Sequence, residues 1–118
     1  MSKILVTGAA GFIGCTLVTK LLATGGHSIT LVDDFARGRA DDTWEKIIAH
    51  SDVTFMQGDL TDKDFVSTIP NDFEYIFHFA AVIGVKSVSQ NPDKVLYVNT
   101  ISTLLLLDHF KNAKTKPK

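Results

Sequence analysis

The chain has 118 residues, 45% of them hydrophobic and 21% charged, with a formal net charge of −1. That size fits one compact domain, and the near-neutral balance excludes bulk attraction to nucleic acid or to a membrane surface. A single cysteine, Cys15, excludes an intrachain disulfide and suits a reducing, cytoplasmic setting. The apolar runs are too short to span a bilayer, and the N-terminus has no secretory apolar region.

Residues 3–7, "KILVT", predict a short buried strand that ends at glycine. Residues 12–24 predict a helix, with Phe12, Leu17, Val18, Leu21 and Leu22 on one broad face and Gly25 and Gly26 ending it. "SITLV" (28–32) is a second strand, followed by the polar turn "DDFARGRA". "DDTWEKIIAH" reads as a helix whose acidic start suits the helix dipole.

"DVTFMQ" (52–57) is a third strand, and "GDLTD" a turn. A short helix over 62–69 takes Thr61 or Asp62 as N-cap and is stopped by Pro70. "EYIFHFA" (74–80) is a fourth strand, and "AVIGVKSVSQN" a loop. Pro92 opens a last helix over 92–112, and the basic "KNAKTKPK" serves as a helix end or a solvated tail.

Strands that alternate with helices, and that are continuously apolar, predict a parallel sheet covered on both faces. Right-handed crossovers leave few topologies, and strand order 3-2-1-4 is the natural one. The fold class is therefore α/β, doubly wound, with about four strands.

Gly8, Gly11 and Gly14 lie where the first strand becomes a helix. Free N–H groups of a first helical turn, together with the helix dipole, make such a junction an anion site. Gly8 would permit the tight turn, Gly11 a close approach of a pyrophosphate, and Gly14 close packing of helix on sheet. Asp33, nineteen residues beyond Gly14, ends the second strand together with Asp34. A carboxylate there can accept from both ribose hydroxyls of adenosine, and it repels a 2′-phosphate. NAD is thus favoured over NADP, although Arg37 and Arg39 could serve a phosphate.

Other polar residues carry less. Asp59 could accept from an adenine amino group or simply shape a turn. His78, in an apolar strand, reads as a packed histidine. The four histidines have no metal-ligand spacing, so no metal is expected. Cys15 reads as a small buried residue. Asn99, among apolar neighbours, needs partners and would pin a loop or a water.

"TGAAGFIG" (7–14), "VDD" (32–34), "GDLTD" (58–62), "HFAAVIGVKSV" (78–88) and "NPDKVLYVNT" (91–100) together resemble the extended short-chain dehydrogenase/reductase family. Within it they look most like the NAD-dependent nucleotide-sugar epimerases and dehydratases. The resemblance runs through nearly the whole chain. It implies a Rossmann domain over 1–118, with NAD as cofactor and a nucleotide sugar as substrate of the full-length enzyme. Such enzymes oxidise a sugar hydroxyl transiently and then return the hydride.

The resemblance implies that Gly8, Gly11, Phe12, Ile13 and Gly14 bind the pyrophosphate. Asp33 would hold the ribose, with Asp34, Arg37 and Gly38 around it. Asp59 and Leu60 would contact adenine, and Phe79, Ala80 and Ala81 would line the nicotinamide side. Lys86 matches a lysine that reaches phosphates in some members, and Asn99 a structural asparagine behind the active site. The family often has Asn where this chain has Asp34.

One departure matters. The family's catalytic Tyr-x-x-x-Lys pair is absent: four residues beyond Tyr75 and Tyr97 stand Phe79 and Ile101. The 118 residues therefore resemble the first part of a longer enzyme, with no catalytic residue among them. Two other readings stay open, a non-catalytic dinucleotide-binding module and part of an NADP-dependent reductase. An unpaired fourth-strand edge would favour self-association as a homo-oligomer, covering by the tail, or poor solubility.

Overall fold

A computed structural model describes residues 1–36 and 40–118. β1 (Ser2–Thr7), β2 (His27–Asp33), β3 (Val53–Gln57) and β4 (Tyr75–His78) form one sheet in the order β3-β2-β1-β4. All three neighbouring pairs are parallel. Parallel neighbours need crossovers. α1 (Phe12–Thr24), α2 (Asp42–Ile48) and α3 (Lys63–Ser67) supply them in turn. This is the expected doubly wound arrangement, a Rossmann-like fold.

The strands are apolar throughout because both faces are covered. Ile4, Val6, Ile29 and Leu31 pack with Val18 of α1 and with Trp44 and Ile47 of α2. Leu5 and Val32 face the other way, onto Val66 of α3 and onto Leu106 and Phe110 of α5 (Pro92–Phe110). Phe35, Trp44 and Phe55 meet edge to face, with ring centroids 5.0–5.6 Å apart, an arrangement aromatic quadrupoles favour.

The helix starts follow side-chain chemistry. The Asp41 side chain accepts from the Trp44 amide and caps α2. Asp62, rather than Thr61, caps α3 by accepting from Asp64 and Phe65. Pro92 occupies the first turn of α5, where its missing N–H costs nothing. α3 ends at Ser67, ahead of Pro70, and β4 is shorter than expected because Phe79 and Ala80 leave the sheet.

One expectation needs correction. The segment 81–91 is not all loop, since Val85–Gln90 forms a single helical turn and a half, α4. None of its residues is buried, so no apolar periodicity marks it. Of the fates expected for the outer edge of β4, covering by the tail is the one found. Lys118 donates to the Glu74 carbonyl and accepts from the Ile76 amide, both at 2.9 Å. This is the parallel bonding pattern, so the tail covers that part of the edge. Among the described residues no helix is long and apolar enough to cross a membrane.

Candidate functional site

The C-terminal ends of the central strands meet at the glycine loop, the position where open α/β sheets bind ligands. Thr7 ends β1, and Gly8 turns the chain with φ +68°. Its amide donates to the Val32 carbonyl at 2.9 Å, tying the loop to β2. A Cβ on Gly8 would stand 2.7 Å from the Ala80 nitrogen and 2.8 Å from the Phe79 carbonyl carbon. Both are backbone atoms, so nothing there can yield cheaply.

Gly11 is the N-cap of α1 and gives no side-chain cap. The first intrahelical bond runs from the Cys15 amide to the Gly11 carbonyl at 2.9 Å. The amides of Phe12, Ile13 and Gly14 precede it and have no carbonyl within the helix to bond. Their side chains do not cover the turn, since Phe12 and Ile13 are exposed. A Cβ on Gly14 would lie 2.4 Å from the Gly8 carbonyl oxygen. Gly14 thus allows α1 to close on its own loop, rather than chiefly on the sheet as expected from spacing.

Asp33 is buried at the end of β2, and both its oxygens are engaged. Oδ2 accepts from the Ala10 amide at 2.9 Å and Oδ1 from the Phe35 amide at 2.7 Å. The carboxylate therefore joins the glycine loop to the segment after β2. Phe35 adopts φ +61°, and its ring seats on Trp44 and Phe55. Asp34 is exposed and accepts from the Ala36 amide at 2.9 Å. Arg37, Gly38 and Arg39 lie outside the described residues.

The remaining candidates fall in two groups. Asp59 follows β3, where its Oδ1 accepts from the amide and hydroxyl of Thr61, both at 2.8 Å. Leu60 points into the core beside Val66. Phe79, Ala80 and Ala81 follow β4 directly, and Phe79 and Ala81 are exposed. Asn99 on α5 grips the next residue: it accepts from the Val82 amide at 2.8 Å and donates to the Val82 carbonyl at 3.0 Å. That is the loop-pinning role its burial called for. Lys86 is exposed on α4.

Cys15 is half-buried. Burial pushes its thiol up from the ordinary range, and the Asp41 and Asp33 carboxylates add to this. It is a packing residue rather than an activated thiol. Among the described residues no His, Cys, Asp or Glu cluster could hold a metal.

Sequence reasoning missed the partners of His78. The ring bridges Thr7 Oγ1 at 2.6 Å and Thr103 Oγ1 at 3.3 Å. Threonine hydroxyls have no spacing signature, because the sheet and α5 bring them to the ring from distant parts of the chain.

A strand, a glycine turn, an open helix N-terminus and an acid at the next strand end define the class of dinucleotide-type Rossmann sites. The sequence matches the NAD dependent epimerase/dehydratase family over residues 4–118, and the chain belongs to that family. It is 40% identical over 109 residues to the UDP-glucose 4-epimerase of Mycolicibacterium smegmatis, covering 90% of this chain and 34% of that protein. The Bordetella bronchiseptica enzyme WbmF, solved in complex with NAD+, superposes with TM-score 0.83 at 28% identity, over 96% of this chain and 33% of WbmF. The UDP-glucose 4-epimerase of Thermus thermophilus, solved in complex with NAD, superposes with TM-score 0.76 at 33% identity, over 91% of this chain and 33% of that one. The chain thus spans 34% of the curated relative and 33% of each structure.

Proposed function

We propose that these residues form the NAD-binding part of a cytoplasmic nucleotide-sugar epimerase or dehydratase working by transient hydride transfer. The observation that carries the reading is Asp33, held rigid beneath the open first turn of α1 by Ala10 and Phe35. The amides of Phe12, Ile13 and Gly14 would grip the diphosphate. The outer lone pairs of Asp33 would accept from the adenosine ribose diol. Asp59 would lie at the adenine end, with Leu60 beneath it, while Phe79, Ala80 and Ala81 would face the nicotinamide. Asn99 would serve through Val82, and Lys86 by reaching a phosphate. Arg37 and Gly38 would border the ribose.

When bound, NAD would supply the hydride acceptor. The chain's own residues would bind and orient it. No Tyr-x-x-x-Lys pair occurs within these 118 residues, so alone they are expected to bind without turnover.

Isothermal titration with NAD and NADP tests the reading. NAD should bind more tightly than NADP, and Asp33→Ala should weaken NAD at least about tenfold, the loss of a charge-assisted pair. Equal affinities for the two, or an indifferent Asp33→Ala, would overturn it.

A further inference from the structure

The hydrogen bonds around His78 run in one direction. Thr7 Oγ1 already accepts from the Ala80 amide at 3.2 Å, which leaves its proton for His78 Nδ1 at 2.6 Å. With the Thr7 proton given to Nδ1, the neutral ring carries its own proton on Nε2. That N–H points at Thr103 Oγ1, 3.3 Å away. The Thr103 hydroxyl in turn donates to the Asn99 main-chain carbonyl, one turn back in α5, at 2.8 Å. The opposite tautomer would leave the fully buried Thr7 hydroxyl without this acceptor and would take Thr103 away from Asn99.

Two separate anchors hold the short segment after β4. At one end the Ala80 amide is fixed by Thr7, beside Gly8. Independently of the ring, the Asn99 side-chain amide holds both backbone groups of Val82. We infer that His78, as the neutral Nε2–H tautomer, is a positioning residue that locks Phe79 and Ala80 against the glycine loop through Thr7 and so governs uptake of the dinucleotide. The last clause rests on the NAD reading; the lock itself does not.

Protonation would break the lock. A charged ring has two donors, so the Thr7 hydroxyl would have to turn its proton away from Nδ1 and lose that acceptor. The surroundings favour the neutral form. His78 lines a groove with Thr103, Leu106 and Leu107 of α5 and with Pro117 and Lys118 of the tail. Among the residues lining this groove, Lys118 is the ionisable one besides the ring. Burial pushes the imidazole below its ordinary 6.5.

Imidazole nitrogen NMR on the intact chain, followed through the acid range, tests this. Amide exchange at Ala80 and Val82 and a titration with NAD are recorded on the same samples. A ring protonated at Nε2 is expected near neutrality. Protection of Ala80 should fall in step with the ring's own titration while Val82, held by the Asn99 side chain, stays protected, and NAD affinity should drop about tenfold, as for one lost hydrogen bond.

Thr7→Val keeps the volume but removes the hydroxyl. It should raise the His78 titration toward 6.5, since the neutral ring loses its donor, and unprotect Ala80; Thr7→Ser should restore both. Thr103→Val, on the exposed side of α5, should weaken Ala80 protection with the fold intact. A ring protonated at Nδ1 near neutrality, or an Ala80 amide indifferent to its titration and to these variants, overturns the proposal. Intact ring and amide behaviour with no NAD uptake near neutrality would instead remove the dinucleotide reading and keep the lock.

Discussion

At Gly8 the room for one methyl group decides the shape of the loop. A Cβ there would press on the backbone of Phe79 and Ala80 from a left-handed conformation. Gly8→Ala should therefore cost about 2–4 kcal/mol, the sum of backbone strain and overpacking. Gly11 differs. Its φ is −75°, and a Cβ would approach the Gly8 oxygen at 3.2 Å, tight but tolerable. Gly11→Ala should cost only about 1 kcal/mol of stability. If a diphosphate approaches that backbone, the same change should still weaken NAD about tenfold or more. Urea denaturation and calorimetry on both variants separate the two roles. Loss of stability without loss of binding at Gly11 would refute its assigned part. The glycines and Asp33 were legible in the sequence because backbone freedom and strand-end acids leave a local spacing. The hydroxyls that orient His78 were not, since Thr7 and Thr103 meet only across the fold.

Among the elements, α2 shows how packing outweighs capping. Asp41 satisfies one amide at its start, worth about 1 kcal/mol on removal. Trp44 is 2% exposed and is wedged against Phe35 and Phe55. Trp44→Ala should cost about 3–5 kcal/mol, Asp41→Ala about 1. The Trp44 variant should also loosen Phe35 and hence one of the two bonds that hold Asp33. Thermal denaturation checks the order of the costs; a cap that outweighs the tryptophan would contradict the account. Caps, proline at the start of α5 and the buried strands could all be read from residue type. α4 could not, because a short exposed turn has neither an apolar face nor a capping side chain.

For the whole molecule, acid should act in two stages. His78 is held below its ordinary 6.5 by burial, so the unfolded chain takes up that proton first. Stability should therefore fall as pH drops below 6.5 and level off beneath the folded-state value. Asp72 and Asp108 lie below the usual 3.8, through hydrogen bonds from Lys3 and Lys111 respectively. Their contribution is present above 3.8 and is lost only as pH falls through their folded values. Both pairs are exposed and screened, so this later stage should be slight. Denaturant midpoints against pH should show the upper limb, and His78→Gln should abolish it. A midpoint flat from neutrality to pH 4 would exclude the buried neutral ring.

The order of strands and helices, the parallel doubly covered sheet and the glycine–acid signature follow from the sequence by itself. Each depends on residue type at short spacing, which the chain carries in one dimension. Only the tertiary structure decided that the tail bonds to β4 at Glu74 and Ile76, that Asp33 joins two loops, and that His78 is bonded on both ring nitrogens. Those are contacts between distant residues, and their partners exist only once the sheet and α5 have closed around them.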